Sequence, residues 1–279
     1  MTQSKIVGLF IYPIKSCGPV ALDAAQLVRG GLQFDRRYML VDEQGSFITG
    51  RTVPRLLQVR LRLVMADRPV FLADHPDVSS TLQIPAHGPK EGERLLVEVW
   101  RDRPWAVAVE EGSAWFSALL GSSVRLVHLG ESDLRQVNPE RSRSGDVVSF
   151  ADAYPLLVTN EASLEALNRR LSTPVEMGRF RPNIVYDGRR PFEEDYWAEI
   201  KLGSIDCDAP KLCDRCVMTT VDVTTGRGAK EPLATLAKFR RWSGAVWFGM
   251  NVIPRSTGWL HLGDAVETDL VREHPSLLV

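Results

Sequence analysis

Acid and base nearly cancel in this chain: 34 Lys and Arg stand against 35 Asp and Glu in 279 residues, a formal net charge of −1. The lack of a dominant sign argues against nucleic acid or an anionic membrane as a bulk partner, and leaves room for a local basic pocket. Cysteine is scarce. Cys17, Cys207, Cys213 and Cys216 are too few for a disulfide scaffold. No uncharged apolar stretch reaches about 18 residues, so no transmembrane helix is expected. Residues 1–8 carry no apolar run of the secretory kind, and a cytoplasmic location is the expectation. In a reducing compartment cysteines serve as thiols or metal ligands rather than bridges. Lysine is rare too, 7 residues against 27 arginines. Arginine offers a planar fork of donors suited to phosphate and carboxylate, but codon bias produces the same count, so position has to decide. What is present is an ordinary globular composition, 44% hydrophobic and 25% charged.

The first third reads as short strands separated by close turns. Ile6–Ile14 is apolar and broken by Pro13, Arg37–Asp42 is a strand, and Glu43-Gln44-Gly45 turns into Ser46–Gly50. Leu57, Val59, Leu61 and Leu63 alternate with Gln58, Arg60 and Arg62, which predicts a half-buried strand over 56–64. Further strands are expected near 70–72, 81–84 and 95–99, together a small barrel or sandwich. A helix over Ser113–Leu120 ends at Gly121, and a strand follows at Val124–Leu129. Residues 130–149 read as a polar loop. Asn160–Leu171 is a helix capped by Asn160 or Thr159, with Leu164, Leu167 and Leu171 on one face. Strands are expected at Ile184–Tyr186, Ala198–Leu202, Ser204–Cys207, Cys216–Val221, Trp247–Ile253 and Trp259–Leu262, with a helix over Leu233–Arg241. A domain boundary falls between about 105 and 130.

The densest chemistry lies in KLCDRCVMTTVDVTTG, residues 211–226. A lone C-x-x-C fits half a zinc site, a dithiol pair or two core thiols. No second C-x-x-C and no H-x-x-x-H completes a zinc site, and the β-forming residues after Cys216 do not match a dithiol at a helix start. Arg215 between the cysteines favours thiolate, and five hydroxyl or carboxylate side chains follow within nine residues. Such a cluster suits one soft metal bond beside hydrogen bonds to an oxygen-rich anion. Arg179 and Arg181 flank Phe180 before Pro182 and Asn183, on what reads as an extended segment with both guanidiniums on one side. Tyr12 to Cys17 is a strand, a rigid turn, then Lys15 and Ser16; Asp35-Arg36-Arg37 follows Gly31-Leu32.

In order, YPIKSC, GLQFDRRYMLVDEQGSFITGRTVPRL, TNEASLEALNRRL, RFRPNIVYDG, LCDRCVMTTVDVTTG, FGMNV and LHLGDAV resemble the MOSC family with its N-terminal β-barrel companion. Within it they are most similar to the mitochondrial amidoxime reducing components and their bacterial relatives. The likeness spans about residues 5 to 268, and the RFRPN and C-x-R-C-x-x-T-T-V-D blocks are its most specific part. It implies an α+β, β-rich fold: a small N-terminal β-barrel-like domain over 1–122, of which residues about 5–20 pack with the second domain, and a MOSC β-barrel with peripheral helices over 123–279. It implies a molybdenum cofactor, the metal bound by Cys216. Lys15, Ser16, Arg36, Thr159, Arg181 and Asn183 would form the cofactor cradle, with Arg215, Thr219 and Thr220 beside it. Asp222 would hydrogen-bond the reacting centre or deliver a proton, unless it only closes a turn with Thr224 and Gly226. Trp247, Phe248, Gly249 and Asn251 are candidates for the mouth.

The implied reaction is reduction of small N-hydroxylated compounds, such as N-hydroxylated bases and amidoximes, with oxygen leaving as water. Electrons would come from an external donor, a flavoprotein reductase or a ferredoxin-like or haem protein. Three spare cysteines cannot ligate a [2Fe–2S] cluster, C-x-x-C-H is missing because Val217 follows Cys216, and no G-x-G-x-x-G occurs. Two other classes stay open: a cofactor or sulfur carrier without turnover, and a non-catalytic barrel whose arginines take another phosphate ligand.

Overall fold

A computed structural model describes residues 3–273. Its centre is a closed barrel of seven strands: β1 (Ser4–Ile11), β2 (Leu156–Asn160), β3 (Ile184–Tyr186), β4 (Trp197–Leu202), β5 (Ile205–Asp214), β6 (Ala245–Pro254) and β7 (Ala265–Val271). The hydrogen-bonded order is β2-β3-β1-β7-β4-β5-β6, and β6 returns to β2 through Leu156↔Val252 and Val158↔Met250. Only the β2–β3 pair is parallel. Closure leaves no edge, and the inward side chains meet at the axis: Ile6, Leu9, Ile184, Ile200, Leu212, Met250 and Val252 are all buried in one core.

The strand from the N-terminus thus sits in the barrel with strands more than 140 residues distant. Residues 38–128 build the other half. There Tyr38–Val41 lies between Phe47–Ile48 and Arg125–His128 in a five-stranded antiparallel sheet, so the N-terminal sheet takes a strand from beyond residue 122. A second sheet joins Arg60–Val64, Val70–His75 and Val78–Pro85. Helix α1 (Glu110–Leu120) covers both: its Gly112 lies against Leu126, and its Trp115 Nε1 donates to Ser80 O at 2.7 Å. Gly121 ends it with φ 66°, a conformation that suits glycine. The two halves share a core, since Leu56, Val59, Phe71 and Leu126 belong to the same buried cluster as Ile11 and Ile14.

Several expected elements take another form. Residues 54–58 are a 3-10 turn opened by Pro54, and the strand begins only at Arg60. Pro54 pre-sets helical φ, and the adjacent Leu56 and Leu57 are both buried, which an alternating strand would forbid. The 130–149 loop contains a small hairpin, Arg135–Gln136 with Val147–Val148. Residues 217–220 form a 3-10 turn rather than a strand, because the Thr219 and Thr220 hydroxyls donate back to the carbonyls of Cys216 and Val217. Helix α2 (Glu161–Asn168) is shorter than expected and is capped by Asn160, whose side chain accepts from Ala162 N–H at 2.9 Å. The last helix, α3, spans Leu233–Phe239.

Candidate functional site

A cavity of about 670 Å³ opens at the seam between the two halves. Lys15, Ser16, Arg36 and Arg51 enter from the N-terminal part of the chain; Asp152, Arg179, Arg181, Asn183, Lys211, Arg215, Cys216 and Asn251 come from the rest. The turn after β1 is fixed by Lys15 N–H donating to Tyr38 O at 2.8 Å, which ties the barrel strand to the N-terminal sheet.

Among the described residues, four of the seven non-glycine residues with positive φ line this cavity: Ser16 at 71°, Arg36 at 48°, Trp100 at 57° and Arg181 at 56°. Such conformations cost free energy and persist only where the surroundings over-determine them, which marks a functional wall. Here the surroundings do so. Arg36 Nη1 donates to both oxygens of Asp35, at 2.9 and 2.7 Å, and reaches Asn183 Oδ1 at 3.1 Å. Arg181 donates to Cys17 O at 2.8 Å. The two guanidiniums sandwich the Tyr12 ring, each 4.2 Å from its centroid. Burial pulls Arg181 down to about 10, with Arg36 pulling the same way, and pushes the Tyr12 hydroxyl up to about 12. A buried cation held mainly by a backbone carbonyl and an aromatic face suits an added anion.

Asp152 stands inside the cavity. Its carboxylate meets Lys15 Nζ at 2.5 Å and Arg51 Nη2 at 2.9 Å, while Lys15 also donates to Phe150 O at 2.8 Å. Protein surrounds this group, yet 55% of its side-chain surface faces the cavity space. Enclosure alone would raise its pKa; the Lys15 and Arg51 charges overturn that and hold it well below the usual carboxylate range. Burial lowers Lys15, against the pull of Asp152. Burial also works to lower Arg51, but Asp152 and the neighbouring sulfur of Cys216 reverse the sign. A carboxylate, two cations and a thiol therefore form one continuous polar path.

The expected residues divide into two groups. Lys15, Ser16, Arg36, Arg181, Asn183, Arg215, Thr219 and Cys216 all face the cavity. Thr159, Thr220 and Asp222 do not. Thr159 is fully buried and its Oγ1 has no partner; it packs where Gly249, with φ 80°, passes so close that a Cβ would stand 2.9 Å from Thr159 Cγ2. Thr220 is turned into the 3-10 turn. The Asp222 carboxylate closes a turn, accepting from Thr224 and Thr225 N–H, and is bound by Arg179 at 3.2 Å. Hydrogen bonds from Thr225 hold it below the usual range. Of the residues expected at the mouth, only Asn251 lines the cavity; Trp247 and Phe248 are core, Phe248 stacked on Phe180 with ring centroids 4.0 Å apart.

Arg179 and Arg181 do not share an extended segment. Residues 177–180 are a 3-10 turn, and the two side chains clamp different parts: Arg179 the carbonyls of Thr219 and Thr220, Arg181 the turn after β1. Asn183 is committed to the scaffold as well, donating to Phe10 O and accepting from Leu157 N–H and Arg36. Arg215 serves Cys213, whose Sγ accepts from Nη1 at 2.7 Å. Burial nonetheless pushes the Cys213 thiol up. Cys17 and Cys207 are core thiols, each pushed up to about 12 by burial. Among the described residues no three His, Cys, Asp or Glu side chains gather as a metal-binding group, so a four-ligand zinc site has no place there. Trp100 and Asp152 lie outside every motif block, and Arg51 lies within one whose reading centres on Asp35, Arg36 and Arg37. Only tertiary structure joins them to Cys216.

The donor set fits an anionic, sulfur-bearing cofactor: two thiols on the wall, of which Cys213 is already bonded to Arg215, a ring of cations, and a buried Arg215 Nε without a partner. Two family descriptions match the chain in turn. The family described as MOSC N-terminal beta barrel domain matches residues 3–123, and the MOSC domain matches residues 145–267. The chain is 34% identical to mitochondrial amidoxime-reducing component 1 of Xenopus laevis, over 92% of this chain and 80% of that protein. It is 35% identical to the same component of Mus musculus, over 84% and 71%, and 32% identical to mitochondrial amidoxime reducing component 2 of Bos taurus, over 92% and 81%.

Proposed function

The chain belongs to the MOSC family, alongside the mitochondrial amidoxime-reducing components, and from that premise we propose that it is a molybdenum cofactor-dependent reductase of N-hydroxylated compounds supplied with electrons by an external redox partner. The observation that carries the reading is Cys216 on the wall of a 670 Å³ cavity ringed by cations. Cys216 would ligate the metal, Lys15, Ser16, Arg36 and Arg181 would hold the anionic end of the cofactor, and Arg215 and Thr219 would bracket it. When bound, the cofactor supplies a centre that passes two electrons to the N–O bond. The overall change balances as an N-hydroxyl group plus two electrons and two protons giving N–H and water.

The chain's own residues have three tasks. Arg51, held by Asp152, faces the Cys216 sulfur and offers it a hydrogen bond. Asp152, kept ionised, holds the Lys15 ammonium in place on the cavity wall, where it would meet the anionic end of the cofactor. Asn183 keeps Arg36 aimed by bonding both β1 and β2.

Metal analysis of protein made in a cofactor-competent host tests this reading. Stoichiometric molybdenum, lost in a folded Cys216→Ala variant, supports it; zinc in its place refutes it. Cys213 on the same wall as Cys216 favours one rival, a carrier of cofactor or sulfur without turnover. Reduction of an amidoxime with an artificial electron donor separates the two, since a carrier reduces none.

A further inference from the structure

Trp100 and Arg101 are the two central residues of a tight turn in the N-terminal sheet. Val99 and Asp102 bridge on either side of it, with Val99 N–H donating to Asp102 O at 3.0 Å and the reverse bond at 3.1 Å. Trp100 has φ 57°, at a turn position where glycine is favoured and a bulky aromatic is an outlier. Three contacts hold it there. The Arg51 guanidinium lies 4.7 Å from its ring centroid, the Phe47 ring centroid is 5.1 Å away, and Trp100 Nε1 donates to Asp152 at 3.3 Å. The turn is also clipped from behind. Asp102 accepts from buried Arg135 at 2.7 Å, and Arg135 grips the Ser149 and Ala151 carbonyls just before Asp152.

A strained residue this strongly braced is built for the cavity rather than for its own hairpin. Trp100 lines the cavity yet stays 43% exposed, so it stands at the mouth with ring surface free. Arg101 lines the same mouth and is exposed. The cations deeper inside are already engaged: Lys15 and Arg51 with Asp152, Arg36 with Asp35, Arg179 with Asp222, Lys211 with Asp214. Arg181 and Arg215, without a carboxylate, face the place argued above for the cofactor. Arg101 makes no ion pair with a described carboxylate, and it stands at the opening, where a substrate enters.

We propose that the Trp100–Arg101 turn selects the substrate: Trp100 stacks on a planar aromatic N-hydroxylated compound, and Arg101 receives a negatively charged substituent on it. This rests on the reductase reading for the reaction, but not for the binding. The N-terminal half of the chain thus contributes the specificity of a site whose metal ligand lies in the other half.

The test uses the cofactor-loaded protein and two aryl amidoximes, one neutral and one carrying a ring carboxylate, together with their amidine products as unreactive binders. Calorimetry reads amidine binding, and turnover with an artificial reductant reads kcat/KM. The wild type is expected to prefer the carboxylated partner of each pair, and Arg101→Ala to lower that preference by about fivefold while Arg101→Lys keeps most of it. Trp100→Leu is expected to weaken both aryl amidines by about fivefold, and Trp100→Phe to restore most of the binding. Equal handling of the two partners by the wild type, or a preference untouched by Arg101→Ala, overturns the assignment. If the carboxylated amidine binds with an Arg101-dependent preference while no amidoxime is reduced, the turn is assigned correctly and the reductase reading falls. Reduction of both amidoximes at equal kcat/KM keeps the reductase reading and removes the turn from substrate selection.

Discussion

Arg215 Nη1 donates to the Sγ of Cys213 at 2.7 Å, so the cation placed between the two cysteines serves the first of them. Cys216 faces Arg51 instead, from a distant loop. The two thiols therefore differ in role despite their shared wall. Cys216→Ala is expected to abolish molybdenum binding while circular dichroism stays that of the wild type. Cys213→Ala is expected to keep its metal and to lose about 1 kcal/mol of stability, because an Arg215 N–H in a half-buried place loses its acceptor. Metal content and urea denaturation of the two variants check both statements.

Asp152 is held below the usual carboxylate range by Lys15 and Arg51. A depressed carboxyl stabilises the fold above its unfolded pKa of about 4, and that contribution fades as the pH falls through the folded value. Because more than half of the side chain faces the cavity space, solvent screening limits the effect to about 1 kcal/mol. Acid unfolding of the wild type is expected to steepen below about pH 4, and Asp152→Asn to flatten that limb. Urea midpoints recorded from pH 6 to pH 2.5 measure it. In the loaded enzyme the same variant releases Arg51, and kcat is expected to fall more than KM rises.

Phe248 stacks on Phe180 at 4.0 Å, and Phe180 O accepts from Arg215 Nη2 at 2.6 Å. The barrel core thereby props one wall of the cavity. Phe248→Ala is expected to cost about 3–5 kcal/mol, as for other buried aromatics, and Phe248→Leu much less. Thermal midpoints rank the variants. Molybdenum content is expected to drop in the alanine variant alone, since Arg215 loses its backing with the stack.

Much of the cavity was legible because its residues sit in tight local sequence. YPIKS, DRR, RFRPN and C-x-R-C each carry their cavity-facing side chain on a turn with few conformational options, and three of those turns do contain a positive-φ residue, Ser16, Arg36 and Arg181. Arg51 and Asp152 were hidden for the opposite reason. Each is a single charged residue in a loop, 101 positions from the other, and only barrel closure brings them together. Asp222 was readable either as a site residue or as the closure of a turn, and three donors from Thr224 and Thr225 bond one of its oxygens. The 217–220 segment misled because β-propensity reports packing on a pleated surface, whereas hydroxyls here bond back to the local backbone. The Asn160 cap and the end of α1 at Gly121 were legible because capping is a contact between near neighbours.

Glu194 lies fully buried between Ser163 Oγ, Asn160 Nδ2 and the Tyr186 hydroxyl, at 2.8, 3.3 and 3.5 Å. The adjacent Asp195 is bound by Arg240 at 2.6 Å, which leaves Glu194 with neutral partners and a neighbouring negative charge. Burial first, and Asp195 second, push its carboxyl up to about 7. A raised carboxyl binds a proton in the folded state before the unfolded chain does, so its contribution to stability is full below the unfolded value and is lost as the pH rises through the folded one. Stability is therefore expected to decline between about pH 4.5 and 7, by roughly 3 kcal/mol for this group. Glu194→Gln keeps the hydrogen bonds without the charge and is expected to remove that slope, raising the thermal midpoint at pH 8 while leaving it nearly unchanged at pH 4.5. A slope that survives the substitution would assign it to another group and leave Glu194 ionised among these donors.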